Sequence, residues 1–307
     1  MQIPHDTPEN RKRREKPSSF QVTQPEELMK FLIAQLPGQG RNNIKSLLAN
    51  RQVLVDQEIV TQYNHSLDIG QQVSIRWDLV RKESQPQRLE ILFEDPYLIV
   101  IAKEAGLLSI ATEQEKEQTA YSILSDHIKK RDPKNRIFIV HRLDRDTSGV
   151  MLFAKSENVK ELLQKDWKDV VEERSYIAIT EGTVNSPEGT ITSWLKENKT
   201  FTMYSSQNPN GGQKAITHYR VLKKNKNYSM LEVRLETGRK NQIRVHMQDL
   251  GHSIIGDKKY GSTKNPLRRM GLHARVLAFR HPITGEEVRF ETEIPKDFLS
   301  LFGGQLG

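Results

Sequence analysis

The stretch Val140-His141-Arg142-Leu143-Asp144-Arg145-Asp146-Thr147-Ser148-Gly149 decides how this chain reads. The apolar run Ile137-Phe138-Ile139 precedes it and Val150-Met151-Leu152-Phe153-Ala154 follows it. Short apolar runs bounded by polar residues are the pattern of buried strands. Between them stand two carboxylates, an imidazole and two guanidiniums, with Thr147, Ser148 and Gly149 to turn the chain. A loop so polar between apolar strands sets charged groups on a rigid frame. Taken alone, a charged loop of this kind reads first as a solvated turn.

The bulk composition narrows the classes open to the chain. Its 307 residues suffice for one large domain plus a small one. A net charge of +8 suits a polyanionic partner. Cysteine is absent, which removes disulfides, thiol nucleophiles and Cys-ligated zinc and fits a reducing compartment. The first residues lack the apolar core of a signal peptide. The longest apolar run, Tyr97 to Ala102, is far too short to span a bilayer. A soluble, cytoplasmic protein with no membrane partner is expected. The nine histidines fall into no metal-ligand spacing such as H-E-x-x-H, so no metal is expected. No phosphate-binding glycine loop, dinucleotide fingerprint or G-x-S-x-G elbow occurs.

Along the chain, residues 1–20 carry Arg11-Lys12-Arg13-Arg14 and Lys16 and read as a disordered basic arm. Thr23-Gln24-Pro25-Glu26 predicts a helix start, Thr23 as N-cap and Glu26 completing a capping box. Leu28, Phe31, Leu32 and Leu36 then keep helical spacing. A second helix, 42–50, buries Ile44, Leu47 and Leu48, with Arg41, Lys45 and Arg51 outside. Val53-Leu54-Val55 and Glu58-Ile59-Val60 predict a hairpin through Asp56-Gln57, and a strand over 73–77 follows. Residues 82–88 read as a linker, and a larger domain spans 89–303. Within it Thr119 and Ser156 are predicted helix caps, the helices running to about Lys130 and Trp167. Strands are expected over 174–182, 189–195, 214–223 and 229–237, with antiparallel pairing because no helices intervene. Helical spacing resumes at Ile243, Met247 and Leu250, with Gly251 as the stop.

Three of these stretches resemble one family. His141-Arg142-Leu143-Asp144-Arg145-Asp146-Thr147-Ser148-Gly149 closely resembles the signature of the RluA-type RNA pseudouridine synthases, in which the Asp of H-R-L-D is catalytic. Arg174-Ser175-Tyr176 is similar to the family's second motif, a basic residue, a spacer and an active-site Tyr. Thr237-Gly238-Arg239-Lys240-Asn241-Gln242-Ile243-Arg244-Val245-His246 resembles T-G-R-x-H-Q-I-R-V-H, whose Q-I-R arginine pairs with the catalytic Asp. The resemblance implies Asp144 as catalytic residue, Arg244 as its cation and Tyr176 beside the base. Asn241 stands where His is usual, a local departure that leaves the implied catalytic roles of Asp144, Tyr176 and Arg244 in place. Glu104 replaces the proline of the family's opening motif, which suggests a looser turn there. The order R-N-N-I-K-S-L-L-A-N-R-Q-V-L-V-D resembles the alpha-L RNA-binding domain named for a small-subunit ribosomal protein, which over 21–81 would set Arg41, Lys45 and Arg51 against structured RNA.

The expected fold is therefore α+β, a mixed, mainly antiparallel sheet flanked by helices, plus a small N-terminal alpha-L RNA-binding domain. The implied activity is isomerisation of uridine to pseudouridine in large-subunit ribosomal RNA or transfer RNA. No cofactor is needed, because the reaction has no redox step. The target base must leave its stack to reach a pocket, and Arg142 is suited to fill the gap it leaves. One carboxylate can attack the anomeric carbon, add to the uracil ring or remove a ribose proton, and these roles stay open. Burial opposes the ionisation of Asp144, and the Arg244 guanidinium would favour it. Further RNA contacts are expected at Arg239, Lys258, Lys259, Arg268 and Arg269, with the whole basic segment 258–280 lying along RNA. A monomer binding RNA and not DNA is expected. A non-catalytic RNA-binding factor and a nucleoside hydrolase are the competing functional classes.

Overall fold

The computed structural model describes residues 18–49, 51–76, 89–112 and 118–303. The basic cluster Arg11 to Arg14 and the expected linker over 82–88 lie outside the described residues. The chain divides into two compact units, Met1–Pro86 and Gln87–Gly307.

The first unit runs β1 (Ser18–Gln21), β2 (Glu26–Glu27), α1 (Leu28–Gln35), α2 (Arg41–Ala49), β3 (Val53–Val55), β4 (Glu58–Ile59), β5 (Ser66–Leu67) and β6 (Gln72–Ile75). Its sheet has the order β1-β6-β3-β4, and β2 pairs separately with β5. Leu28, Phe31 and Leu32 of α1 meet Ile44 and Leu48 of α2 over Val53, Val73 and Ile75. The predicted 56–57 turn is present, with Asp56 and Gln57 both at positive φ, 49° and 72°, as a two-residue hairpin of right-handed twist requires. Two expectations are corrected. Residues 18–20 are not part of a disordered arm, since β1 pairs with β6 along its length. Thr23 caps no helix: α1 starts at Leu28 after Glu27, which makes no side-chain cap bond. The reason is tertiary. The carbonyls of His65 and Tyr63 accept from the amides of Leu28 and Met29 at 2.8 and 3.0 Å, taking the orphan donors a capping box would serve.

The second unit runs β7 (Leu89–Glu94), β8 (Leu98–Lys103), α3 (Ala120–Lys129), β9 (Phe138–Ile139), β10 (Ser148–Ala154), α4 (Glu157–Lys165), α5 (Trp167–Val170), β11 (Val171–Glu181), β12 (Glu188–Glu197), β13 (Met203–Ser206), β14 (Gln213–Lys224), β15 (Tyr228–Leu235), α6 (Gln242–Asp249), a 3-10 turn (Lys258–Tyr260), β16 (Leu272–Arg280), β17 (Glu287–Glu291) and α7 (Lys296–Ser300). One large sheet takes the order β13-β12-β14-β15-β11-β16-β10-β8-β7, with β17 beside β16 and β9 beside β10. Its pairings are antiparallel except β10 with β16. The fold is thus the mixed, mainly antiparallel α+β class. No helix among the described residues is long and apolar enough to cross a membrane.

Thr119 caps α3, its Oγ1 accepting from the Ser122 amide at 3.0 Å, and Ser156 caps α4, as predicted. The α4 helix stops at Lys165, short of the expected Trp167, which opens the separate turn α5. Helices α3 and α6 cover one face of the sheet, α4 and α7 the other. Strand β10 is buried at every residue, which explains its unbroken apolar run. It meets β16 in parallel only at Ser148 and Gly149. There a Cβ on Gly149 would stand 2.0 Å from the Ala274 carbonyl oxygen, and its φ is +116°. Only glycine lets the two strands close at this point. The 140–149 loop ends at this junction.

Candidate active site

The loop carrying Asp144 is braced at several points. Ser109 Oγ donates to the Leu143 carbonyl at 2.7 Å and accepts from the Leu143 amide at 3.2 Å. The Arg145 carbonyl accepts from the Gly106 amide at 2.8 Å and from Lys103 Nζ at 3.1 Å. The turn after Glu104 is thereby tied to the loop, despite the missing proline. His141 Nε2 accepts from the Leu152 amide at 3.0 Å, and its ring lies 5.1 Å from that of Trp167. Burial, with the charge of Arg174, pushes this imidazole down to about 4, so it is neutral and structural.

Helix α6 arrives from 100 residues away. Thr237 Oγ1 accepts from the Ile216 amide and donates to Gln242 Oε1, both at 2.8 Å. Gln242 Nε2 donates to the Ile216 carbonyl and Thr217 Oγ1, and His246 bridges Thr217 and Ser193. The Thr, Gln and His of the third motif therefore fasten α6 to β12 and β14. Gly238 leaves room for Arg174: a Cβ there would stand 2.4 Å from its Nη1. The motif residues turned the other way are Asn241 and Arg244.

Both reach Asp144. Arg244 Nη1 donates to Asp144 Oδ2 at 3.0 Å and Asn241 Nδ2 donates to the same oxygen at 2.6 Å. Below the guanidinium, Asp257 takes its Nε at 2.6 Å and Nη2 at 2.8 Å, a bidentate pair. The Asp257 side chain is 2% exposed and the Asp144 side chain 29%, so Asp144 is the carboxylate open to a ligand. Burial opposes the charge of Arg244. Asp257, by hydrogen bonds and charge, and then Asp144 outweigh it, and the guanidinium is held above its ordinary value. Tyr260 lies beneath, its ring centre 4.8 Å from Arg244 Cζ.

Asp144, Arg142, Leu143, Thr147, Tyr176, Arg239, Asn241, Ile243, Arg244 and Leu272 line one pocket. Burial pushes the Tyr176 phenol up, with the Asp144 charge adding to it against Arg174, so it is a neutral hydroxyl on a half-buried ring. Asp146 is exposed and outside this lining. The structure thus brings Asp144, Tyr176, Arg244, Arg142 and Arg239 together. Lys258 and Lys259 are exposed on the 3-10 turn after Asp257. Arg41, Lys45 and Arg51 are exposed in the first unit.

Along the segment 258–280, Arg275 pairs with Glu291 at 2.6 Å, because β16 lies beside β17. Arg268 and Arg269 line a different cleft, with Ser148 and His273, and Arg269 lies 5.0 Å over the Phe298 ring. Asn241, standing where the family usually has His, is a direct partner of Asp144. Arg174 stands in the second motif, but neither it nor Asp257 and Tyr260 carried an expected role in the site. The signal available was charge: an arginine on the buried side of a short helix needs a carboxylate, and Asp257 stands 13 residues on. Among the described residues no group of three His, Asp or Glu side chains could hold a metal ion.

This arrangement can be set against known proteins. Residues 97–249 match the family model described as RNA pseudouridylate synthase. The chain is 35% identical over 222 residues to YjbO of Bacillus subtilis (strain 168), an uncharacterized RNA pseudouridine synthase, covering 72% of this chain and 78% of the relative. It is 36% identical over 234 residues to ribosomal large subunit pseudouridine synthase D of Zymomonas mobilis, covering 72% and 74% respectively. The solved structure of human RNA pseudouridylate synthase domain containing 4 superposes with a TM-score of 0.57 at 25% identity, over 68% of this chain and 90% of that one. A sheet of this order, an aspartate loop closed by one parallel strand pair, and relatives that match over most of their length lead to one conclusion: the chain belongs to the RNA pseudouridylate synthase family, whose members are isomerases.

Proposed function

We propose that Asp144 is the catalytic carboxylate of this isomerase and that its substrate is a uridine of large-subunit ribosomal RNA. The reaction breaks the bond from N1 of uracil to C1′ of the ribose, rotates the base and joins C5 to C1′. N1 gains a proton and C5 loses one, so nothing is oxidised or consumed. Arg244 supplies the positive charge beside the carboxylate, and Tyr176 gives the extruded base an aromatic face and a neutral hydroxyl. Arg142, exposed at the pocket edge, fills the space the base leaves and meets phosphate. Arg239, Lys258 and Lys259 meet the RNA backbone. The first unit is an alpha-L RNA-binding domain that presents Arg41, Lys45 and Arg51 to structured RNA.

The observation that carries this reading is the 3.0 Å pair between Asp144 and Arg244, in a pocket also lined by Tyr176. The ribosomal substrate is supported by the name of the Zymomonas relative; transfer RNA is the second class. The test uses RNA labelled with tritium at C5 of uridine. The parent protein releases tritium without free uracil, from ribosomal RNA and not from transfer RNA. Asp144→Asn releases none while binding RNA as the parent does. Turnover by Asp144→Asn would refute the assignment, and free uracil would make the protein a hydrolase.

A further inference from the structure

Asp144 has two oxygens, and the protein treats them differently. Oδ2 accepts from Arg244 Nη1 and from Asn241 Nδ2. Oδ1 accepts from none of the described residues, in the pocket that Asp144 lines. We infer that Asn241, oriented by Tyr260, commits Oδ2 to the protein and leaves Oδ1 as the oxygen that reacts. This rests on Asp144 being the catalytic carboxylate. Two donors use the lone pairs of Oδ2 and draw its charge toward the guanidinium. Oδ1 keeps its lone pairs for the ribose or the uracil ring.

The side-chain amide of Asn241 could in principle face either way. Reversed, it would put its own oxygen against the carboxylate. Tyr260 prevents this. Its hydroxyl accepts from the Met203 amide at 3.1 Å, so its own proton goes to Asn241 Oδ1 at 3.2 Å. The relay runs from a backbone N–H, whose role is unambiguous, through a buried phenol to the amide, and fixes Nδ2 toward Asp144. The same Tyr260 ring lies under Arg244, so one side chain supports both donors to Oδ2.

A capping role does not account for Asn241. It stands at the N-cap of α6 yet makes no side-chain cap bond, and its φ of 54° is left-handed. Asn, Asp and His enter that region more readily than other side chains. The residues that suit the backbone here are therefore few, and of these Asn and His can donate to a carboxylate.

The test compares Asn241→Asp, Asn241→His and Tyr260→Phe in the full-length protein, reading kcat and KM on unmodified ribosomal RNA and the melting temperature of each. Asn241→Asp keeps the left-handed backbone and an acceptor for Tyr260 but loses the donor. Its kcat is expected to fall on the order of 100-fold with KM unchanged. Asn241→His restores a donor and should stay within about tenfold of the parent. Tyr260→Phe frees the amide to turn and should lower kcat by an intermediate factor, again without moving KM. Parent-level kcat in Asn241→Asp, or a well-folded Asn241→His as impaired as Asn241→Asp, overturns the inference. So does a Tyr260→Phe protein that melts earlier with unchanged kcat. A crystal structure with substrate RNA must show Oδ1 facing the target nucleotide; Oδ2 in that place is equally fatal. Asp144→Asn is assayed alongside. If it turns over, the reading of Asp144 fails; if it is dead beside a fully active Asn241→Asp, only the present inference fails.

Discussion

Arg244 is shared by two aspartates of unequal standing. Asp257 is buried and bidentate, so it holds the guanidinium whether or not RNA is present. Asp144 takes a single bond from the remaining edge and stays accessible. Without Asp257, the cation would be enclosed with one partly solvated counter-charge. Removing one partner of a buried pair is costly because the other charge stays behind. Asp257→Asn should therefore lose about 3 kcal/mol of stability in urea unfolding. It should also lower kcat, because Arg244 can then swing away from Asp144. A loss well under 1 kcal/mol would mean that the pair is not what holds the arginine.

At the scale of elements, the site depends on α6 being fastened to the sheet and on β10 meeting β16. His246 does much of the fastening, and burial pushes its imidazole down to about 4. In the unfolded chain the ring titrates near 6.5. As the pH falls, the unfolded state takes up the proton first and the folded state only near 4. Stability is thus full above about 6.5 and is lost toward 4, by on the order of 3 kcal/mol for one such group. His273, pushed down to about 4 by burial and by Arg269, adds in the same direction. Denaturation between pH 7 and 4 should show this decline, and His246→Gln should flatten it. An unchanged slope would rule out His246 as a source. The strand junction makes a separate demand. Gly149→Ala places a methyl against the Ala274 carbonyl at a positive φ, so it should cost about 3 kcal/mol or more. A melting temperature equal to the parent's would contradict the close approach.

Across the whole molecule, each unit has a hydrophobic core of its own. The cluster around Leu28, Ile44 and Val73 draws only on the first unit, and those around Met151, Leu152 and Leu231 only on the second. Residues 87–307 should therefore fold without the first unit. With the first unit binding RNA, that fragment should keep kcat but bind ribosomal RNA more weakly, with a shallower salt dependence, since fewer phosphates are neutralised. Unchanged affinity and salt slope would deny the first unit its proposed role.

Much of this was legible in the chain because it is local. The caps Thr119 and Ser156, the turn at Asp56-Gln57 and the buried run of β10 each follow from a few neighbouring residues and one periodicity. The α1 start departs from the sequence expectation for the opposite reason: Tyr63 and His65, in the segment leading into β5 and about 40 residues on, supply the acceptors that no local pattern reveals. Short elements such as β13, α5 and α7 carry too few residues to show a period. By itself the sequence determined the family motifs, the acid and the arginine that stand in them, and the burial of the strands between. Tertiary structure alone decided that Asn241 and Arg244 meet on one oxygen, that Asp257 lies beneath them, and that Arg268 and Arg269 turn into another cleft. Those are distances across a folded sheet, set by register and packing, and no spacing along the chain encodes them directly.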